Sequence, residues 1–414
     1  MTYLTLGEVA EYINGRAFKP NEWEDVGLPI IRIQNLTNST QVINRTSKVF
    51  EDKYLVKDGD LLFAWSASLG AHIWHGEDGW LNQHIFKVIP HANIDKMYLF
   101  YFLLHVIDEL YAKTHGSGMV HITLKPFKST LIPVPKLDAQ KKIAETISNL
   151  FSKLDEAQEK AQEVVEGFET RKAAILHKAF SGELTKKWRE ENEIPANSWQ
   201  ETKLGYVLRE IKYGSSEKSD YSYTGIPVLR IPNIGDMELI FDDLKFLRQN
   251  DCLPNEYLEE NDILIIRSNG SKDLVGKCAL VKDLDQEYTY ASFLIRLRVQ
   301  GSVSASYIVW YLNSENARKQ LFRKAKSSAG INNINSKEIA DIDITIPHIA
   351  EQNEVAEILS TLIEKEKQVR ETAESVVEQI DAIKKAILAR AFRGELGTND
   401  PSEESALELL KQII

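Results

Sequence analysis

Residues Pro135–Leu184 read PKLDAQKKIAETISNLFSKLDEAQEKAQEVVEGFETRKAAILHKAFSGEL, and the stretch returns without a gap at Pro347–Leu396, offset by 212. Of the 50 aligned positions 21 are identical, among them Pro135/Pro347, Gln140/Gln352, Ala144/Ala356 and Glu145/Glu357. The ends repeat as well, Ala179–Leu184 against Ala391–Leu396. A self-match on this scale means two copies of one structural unit.

The repeated stretch has helical physics. Ile143, Ile147, Leu150, Leu154, Ala157, Ala161, Val164 and Phe168 follow steps of four and three residues, the apolar seam of a coiled coil. The second copy sets Val355, Leu359, Leu362, Val369, Ala373, Val376, Ile380, Ile383 and Ile387 on its seam, broken at Glu366 where the first has Leu154. Proline at the start and Gly182 or Gly394 at the end bound two helices of about 40 residues, roughly 60 Å each. A helix with one greasy stripe needs a partner. The other copy, in an antiparallel intramolecular pair, is the expected one; a different protein or a second chain is the alternative.

The pieces around the helices repeat too. Gly27–Leu36 aligns with Gly225–Ile234 at offset 198, Leu6-Gly7 with Leu204-Gly205, and Gly59–Leu62 resembles Asn261–Leu264. His121-Ile122-Thr123 and Asn333-Ile334-Asn335 fall in the 212 register. Between these points the blocks diverge; Trp65–Gly79 shares little with Arg267–Asp283. The reading is mixed α/β: blocks at 1–135 and 199–347, helices at 136–184 and 348–396, a charged connector at 185–198, and a tail at 397–414 holding a short helix. Buried strands are expected at Leu28–Ile33 and Asp60–Ala64, and a helix at Tyr98–Tyr111 ended by Gly116-Ser117-Gly118. One frame with two variable surfaces suits two recognition modules; drift after an old duplication is the other reading.

Composition sets bounds. The 414 residues carry a net charge of -11. Blocks 1–135 and 199–347 are each only -2 while 348–414 is -6, so acidity collects on the second helix and tail, and the blocks are free to present positive faces. Cys252 and Cys278 give no disulfide framework, as expected in a reducing cytosol. No apolar run reaches membrane-spanning length. There is no P-loop, dinucleotide fingerprint, Gly-x-Ser-x-Gly elbow or Asn-Pro-Pro-aromatic methyltransferase motif. His72, His75, His84 and His91 lack the partners of a metal site. A binder fits better than an enzyme.

Residues suited to nucleic acid are present. The run Arg318, Lys319, Arg323, Lys324 and Lys326 leads into Ser327, Ser328, Asn332 and Asn333. Arg267, Ser268, Asn269, Ser271 and Lys272 form a second polar cluster, and the first block offers Trp65, Ser66, Ser68, Asn82, Gln83, His84, Ser117 and His121. Arg32 with Asn35 and Arg230 with Asn233 recur at offset 198. Arg, Lys and Ser meet phosphates; Arg reads guanine, and Asn or Gln adenine. Each cluster alone is equally consistent with a solvated face, and the two arginines with structural ion pairs.

This layout of variable block, repeated helix, variable block and repeated helix resembles the DNA-specificity (S, or HsdS) subunit of type I restriction–modification systems. The helix-start pattern at Pro135/Gln140 and Pro347/Gln352 and the helix ends at Ala179–Leu184 and Ala391–Leu396 carry the resemblance. It implies two target-recognition domains separated by an antiparallel coiled coil, each reading half of a bipartite double-stranded DNA site. It also implies a non-catalytic cytoplasmic chain with two methyltransferase and two restriction subunits as partners. S-adenosylmethionine would belong to the former, ATP and Mg to the latter. The rival reading is a coiled-coil adaptor bridging two protein partners without DNA.

Overall fold

A computed structural model describes residues 2–37, 42–112, 121–248, 251–328 and 330–396. The chain divides into two compact units, residues 1–162 with the chain from 374 on, and 163–373. The expected terminator Gly116-Ser117-Gly118 and the tail helix lie outside the described residues.

The first unit holds a sheet of strands in the order 10–14, 85–90, 61–64 and 70–73, all neighbours antiparallel. A second sheet places 45–46, 28–31, 79–81 and 55–56 side by side, with Leu28–Ile31 and Gly79–Leu81 parallel. The second unit repeats this plan: 208–213, 294–299, 263–266 and 278–280 in one sheet, and 245–248, 225–229 and 289–290 in another, the last two parallel. Both expected strands form, the first ending at Ile31 because Ile33–Thr37 turns into a short helix. The expected helix Tyr98–Tyr111 appears as Lys96–His105 and Ile107–Ala112.

The long-helix motifs acquire physical reasons. Gln140 is fully buried; its Nε2 donates to the carbonyls of Pro135 (2.9 Å) and Asn93 (3.2 Å), and its Oε1 accepts from the Asp95 amide at 2.9 Å. Gln352 repeats the device with Pro347 O and the Ser304 amide, both at 2.9 Å. The glutamine thus ties strand, long helix and the N-terminus of the preceding helix at one point. At the other end Phe180 packs on Tyr307 and Tyr311, and Phe392 on Tyr98 and Phe102.

The first long helix is not continuous. It runs Leu137–Glu166 and resumes at Phe168–Phe180, whereas the second spans 45 residues, Ile349–Arg393. Gly167 sits at the break, and position 379 in the other copy is Gln. The Arg171 guanidinium occupies the space a Cβ at Gly167 would need, 2.5 Å away. Arg171 donates to the Val164 carbonyl at 2.9 Å and to Glu366 Oε2 at 2.7 Å, so Glu366, the break in the seam, is the partner in an ion pair.

Within each unit the helices pair antiparallel. In the first, Ile143, Ile147, Leu150 and Leu154 share a core with Ile380, Ile387, Leu388 and Phe392, with Ile383 packed against it; Lys384 reaches Asp155 at 2.6 Å. In the second, Leu176 and Ala179 share a core with Val355, Leu359 and Ile363, and Arg370 lies 4.6 Å over the buried Phe168 ring. Three seam assignments fail: Ala157 is exposed, and Val369 is 51% and Val376 37% exposed. Leu362 and Val164 are only half-buried. Beside the buried seam residues, the partner helix also meets a flank carrying Ile363 and Arg370 in the second unit and Lys384 in the first. Charged residues on that flank hide it from a hydrophobic pattern.

The connector is anchored. It carries a helix, Lys186–Glu191, and Thr185, Arg189 and Trp199 converge on the fully buried Glu351, whose Oε1 accepts from Thr185 Oγ1 (2.6 Å), Trp199 Nε1 (3.0 Å) and the Arg189 guanidinium.

Candidate nucleic-acid interface

In each unit three pieces of chain meet at one end of the larger sheet. In the second unit strand 208–213 ends at Tyr213, strand 263–266 runs on into Arg267, and the turn 291–294 leads into strand 294–299. Arg267 N donates to Phe293 O (3.0 Å), and Ile334 N to Arg267 O (2.8 Å). Beyond this, Ser268 and Asn269 pair with Asn333 and Asn332, which pair in turn with Lys326 and Ser327. The two polar clusters of the sequence, 267–272 and 326–333, are therefore one small sheet. The Arg267 guanidinium lies 4.6 Å over the Tyr213 ring, and its Nε donates to Asn333 Oδ1 at 3.4 Å. Asn332 Nδ2 donates to Gly270 O, and Asn269 Oδ1 accepts from the Ser271 amide, so both amides partly stiffen the loop. Lys272 lies 5.9 Å over the Phe322 ring, and the backbone of Ser328 pairs with Ile331.

The first unit builds the same junction from other residues. Trp65 N donates to His84 O (3.1 Å), Ile122 N to Trp65 O (3.1 Å), and Ser66 pairs with His121. Trp65 Nε1 donates to Asn14 Oδ1 at 3.0 Å, and its ring meets the His84 ring edge-on, centroids 5.3 Å apart. A glycine follows the strand end in both units, because a Cβ on Gly15 would stand 2.0 Å from Asn82 O and one on Gly214 2.4 Å from Ala291 O. Superposing these contacts equates Asn14 with Tyr213, Trp65 with Arg267, His84 with Phe293 and His121 with Asn333. One backbone frame, with Ser66/Ser268, Ile122/Ile334 and Gly15/Gly214 alike, carries a different side chain at each of these four positions.

Asn14, Tyr213 and Phe293 escaped the sequence reading. The 199 offset that joins Gly15 to Gly214 is the signal that would have found the first two.

Other assignments need correction. Asn233 is 1% exposed; its Oδ1 accepts from the Arg230 amide at 2.8 Å and its Nδ2 donates to the Ile240 and Asp242 carbonyls, so it closes a turn and offers nothing to a base edge. Asn35 accepts from the Arg32 amide in the same way, at 3.1 Å. Arg230 pairs with Asp243 at 3.1 Å, and Arg32 lies 5.4 Å over Trp23. Ser66, Ser268 and Asn82 are buried and supply backbone pairing. Gln83 is half-buried, Ser68 exposed, and Ser117 outside the described residues.

The basic run is largely neutralised. Arg318 donates to the Val275 and Asp273 carbonyls, Lys319 pairs with Glu315, Lys324 with Asp341, and Lys326 with Glu338 at 3.2 Å. Arg323 is exposed and donates to the Lys319 carbonyl. Burial pushes the Cys278 thiol up to about 12 and raises that of Cys252. Among the described residues no cluster of three His, Cys, Asp or Glu could hold a metal, and no helix is long and apolar enough to cross a membrane.

Comparison with known proteins bears on this geometry. The family model described as the type I restriction modification DNA specificity domain matches residues 1–166 and 197–379. The chain is 28% identical to the type I restriction enzyme EcoKI specificity subunit of Escherichia coli K12, over 98% of this chain and 93% of that protein. It is 26% identical to the MjaVIII specificity subunit of Methanocaldococcus jannaschii, over 94% and 92%. In fold it is similar to the crystal structure of the HsdS subunit from Thermoanaerobacter tengcongensis, with TM-score 0.62 and 18% identity over 95% of this chain and 97% of that one.

Proposed function

The chain belongs to the type I restriction–modification DNA specificity family, and on that premise we propose that each unit reads one word of a bipartite, asymmetric DNA site through the edge just described. One observation carries the reading. The same backbone junction bears Asn14, Trp65, His84 and His121 in one unit and Tyr213, Arg267, Phe293 and Asn333 in the other. Two different words require those side chains to differ, and an arginine beside an asparagine is the kind of pair that reads base edges; an adaptor bridging two protein partners needs no such pair. Arg267 supplies the bidentate guanidinium suited to guanine, and Asn333 an amide suited to adenine. Arg323 supplies a phosphate contact, which positions without specifying.

In this reading the paired helices set the number of unread base pairs between the words. The chain holds two modification subunits, which carry S-adenosylmethionine and the adenine chemistry, and two restriction subunits, which carry ATP and Mg. No catalytic step falls to its own side chains. The test is to co-express the chain with the methyltransferase subunit encoded beside it and sequence methyladenine in the host DNA. A split motif with a fixed gap supports the reading. A stable complex that leaves no motif overturns it in favour of the adaptor.

A further inference from the structure

Phe293 is a large apolar side chain, 57% exposed, inside a polar surface. Isolated exposed hydrophobics are ordinary, but this one stands on an immobilised platform. The turn closes through Leu294 N to Ala291 O at 2.9 Å, Ala291 N donates to Leu229 O at 2.9 Å, and Ser292 N to Ser215 O at 2.8 Å. Phe293 O itself accepts from Arg267 N at 3.0 Å. The backbone that carries the ring is therefore held by both sheets of the unit and by the residue best suited to read guanine. Exposing a ring costs solvation, and fixing its backbone removes the freedom to fold it away. In the first unit the matched turn puts His84 there, a ring with hydrogen-bonding nitrogens, so the position is aromatic in both units and apolar in one.

Resting on the recognition reading above, we propose that Phe293 is a specificity-determining contact to the C5-methyl group of a thymine in the major groove, next to the base pair read by Arg267. The chemistry is selective. In the major groove the thymine methyl is the distinctive apolar feature among base edges and is met by side chains of this kind. His84 would make a polar contact instead, so the first word needs no thymine methyl at the matched place.

The test uses the full chain with its modification subunit, once the methylated motif is known. Duplexes carrying deoxyuridine in place of each thymine, one at a time, remove a single methyl and keep every hydrogen bond. The wild type is expected to lose about fourfold in affinity at one thymine of the second unit's word, the worth of one methyl group buried. Phe293→Ala is expected to bind the two duplexes equally and to leave a methylation motif degenerate at that one pair, with the other word unchanged. Phe293→Leu, still apolar, is expected to keep part of the preference. Indifference of the wild type to uracil at every thymine overturns the proposal, as does a Phe293→Ala variant weakened equally on all sequences. Failure of the wild type to bind any split motif removes the recognition reading itself, a result separable from either.

Discussion

Arg171 Nε stands 2.7 Å from Glu366 Oε2, joining the two copies of the internal repeat through residues that differ between them. Leu154 in one copy is matched by Glu366 in the other, and Gly167 in one by Gln379 in the other. These two changes belong together: the missing side chain at Gly167 lets Arg171 fold back, and Glu366 meets it. Both side chains keep about a quarter to a third of their surface in water, 24% and 36%, so the pair is weak by the standards of a buried one. A double-mutant cycle of Arg171→Ala and Glu366→Ala is expected to give a coupling of about 0.5–1 kcal/mol. It should shrink in high salt. Urea midpoints of the four proteins measure it; a zero coupling at low salt would contradict the role assigned to the break.

Gln140 and Gln352 make a sharper prediction, because both are buried and their amides bond at both ends. Gln140→Ala leaves the Asp95 amide and the Pro135 carbonyl without that partner, and Gln352→Ala does the same to Ser304 and Pro347. Each is expected to cost about 1–3 kcal/mol, the penalty of an orphaned buried group. The loss should appear as faster hydrogen exchange at Asp95 in one variant and Ser304 in the other, with no crossover. Equal loosening of both amides by either variant would contradict the local account.

The sequence showed the repeat, the mixed α/β class and the helix ends because these depend on local periodicity and on residues recurring at constant offsets. It placed Val355, Leu359, Ile380 and Ile387 on the paired face of the second helix but missed the flank beside them, since Arg370 and Lys384 lie there and a hydrophobic pattern steps over charged residues. It misjudged the basic run for a different reason. Glu338 and Asp341, 12 and 17 residues beyond Lys326 and Lys324, return to neutralise it, and spacing alone does not show that return. Asn233 looked like a base reader because Arg230 and Asn233 recur with Arg32 and Asn35. The recurrence reflects a shared turn, since Asn35 and Asn233 accept from the Arg32 and Arg230 amides in the same way, and architecture explains the pair.

In the proposed reading Arg267 reads a base and Arg323 holds a phosphate, and the two roles can be told apart. Arg267 is poised over Tyr213 at the junction, and Arg323 projects from the end of its helix with no acidic partner among the described residues. Arg267→Ala is expected to cost about 1–3 kcal/mol on the native site and to relax one position of the second word. Arg323→Ala should weaken binding evenly on all sequences and lower the salt slope by about one. Lys324→Ala should do less than Arg323→Ala, because Asp341 already neutralises Lys324. Affinities on matched and scrambled duplexes at three salt concentrations distinguish these outcomes. Loss of one position on replacing Arg323 would reverse the assignment.

Helix length is the last variable, and it tests the architecture apart from any recognition residue. Seven residues inserted into each helix keep the apolar and charged flanks in register, since two turns restore the seam. The insertions would sit between Gln158 and Glu163 in the first helix and between Ala373 and Ile380 in the second, clear of both glutamine caps and of Arg171. Seven residues add about 10.5 Å of helix, the rise of about three base pairs at 3.4 Å each. The methylated motif of the lengthened protein is therefore expected to keep both words and widen its gap by up to about three base pairs. An insertion into one helix alone mismatches the pair and should destabilise the protein without giving a new gap. Methyladenine sequencing reads all of this at once. A lengthened pair that still folds and still marks the original gap would show that something other than these helices sets the spacing.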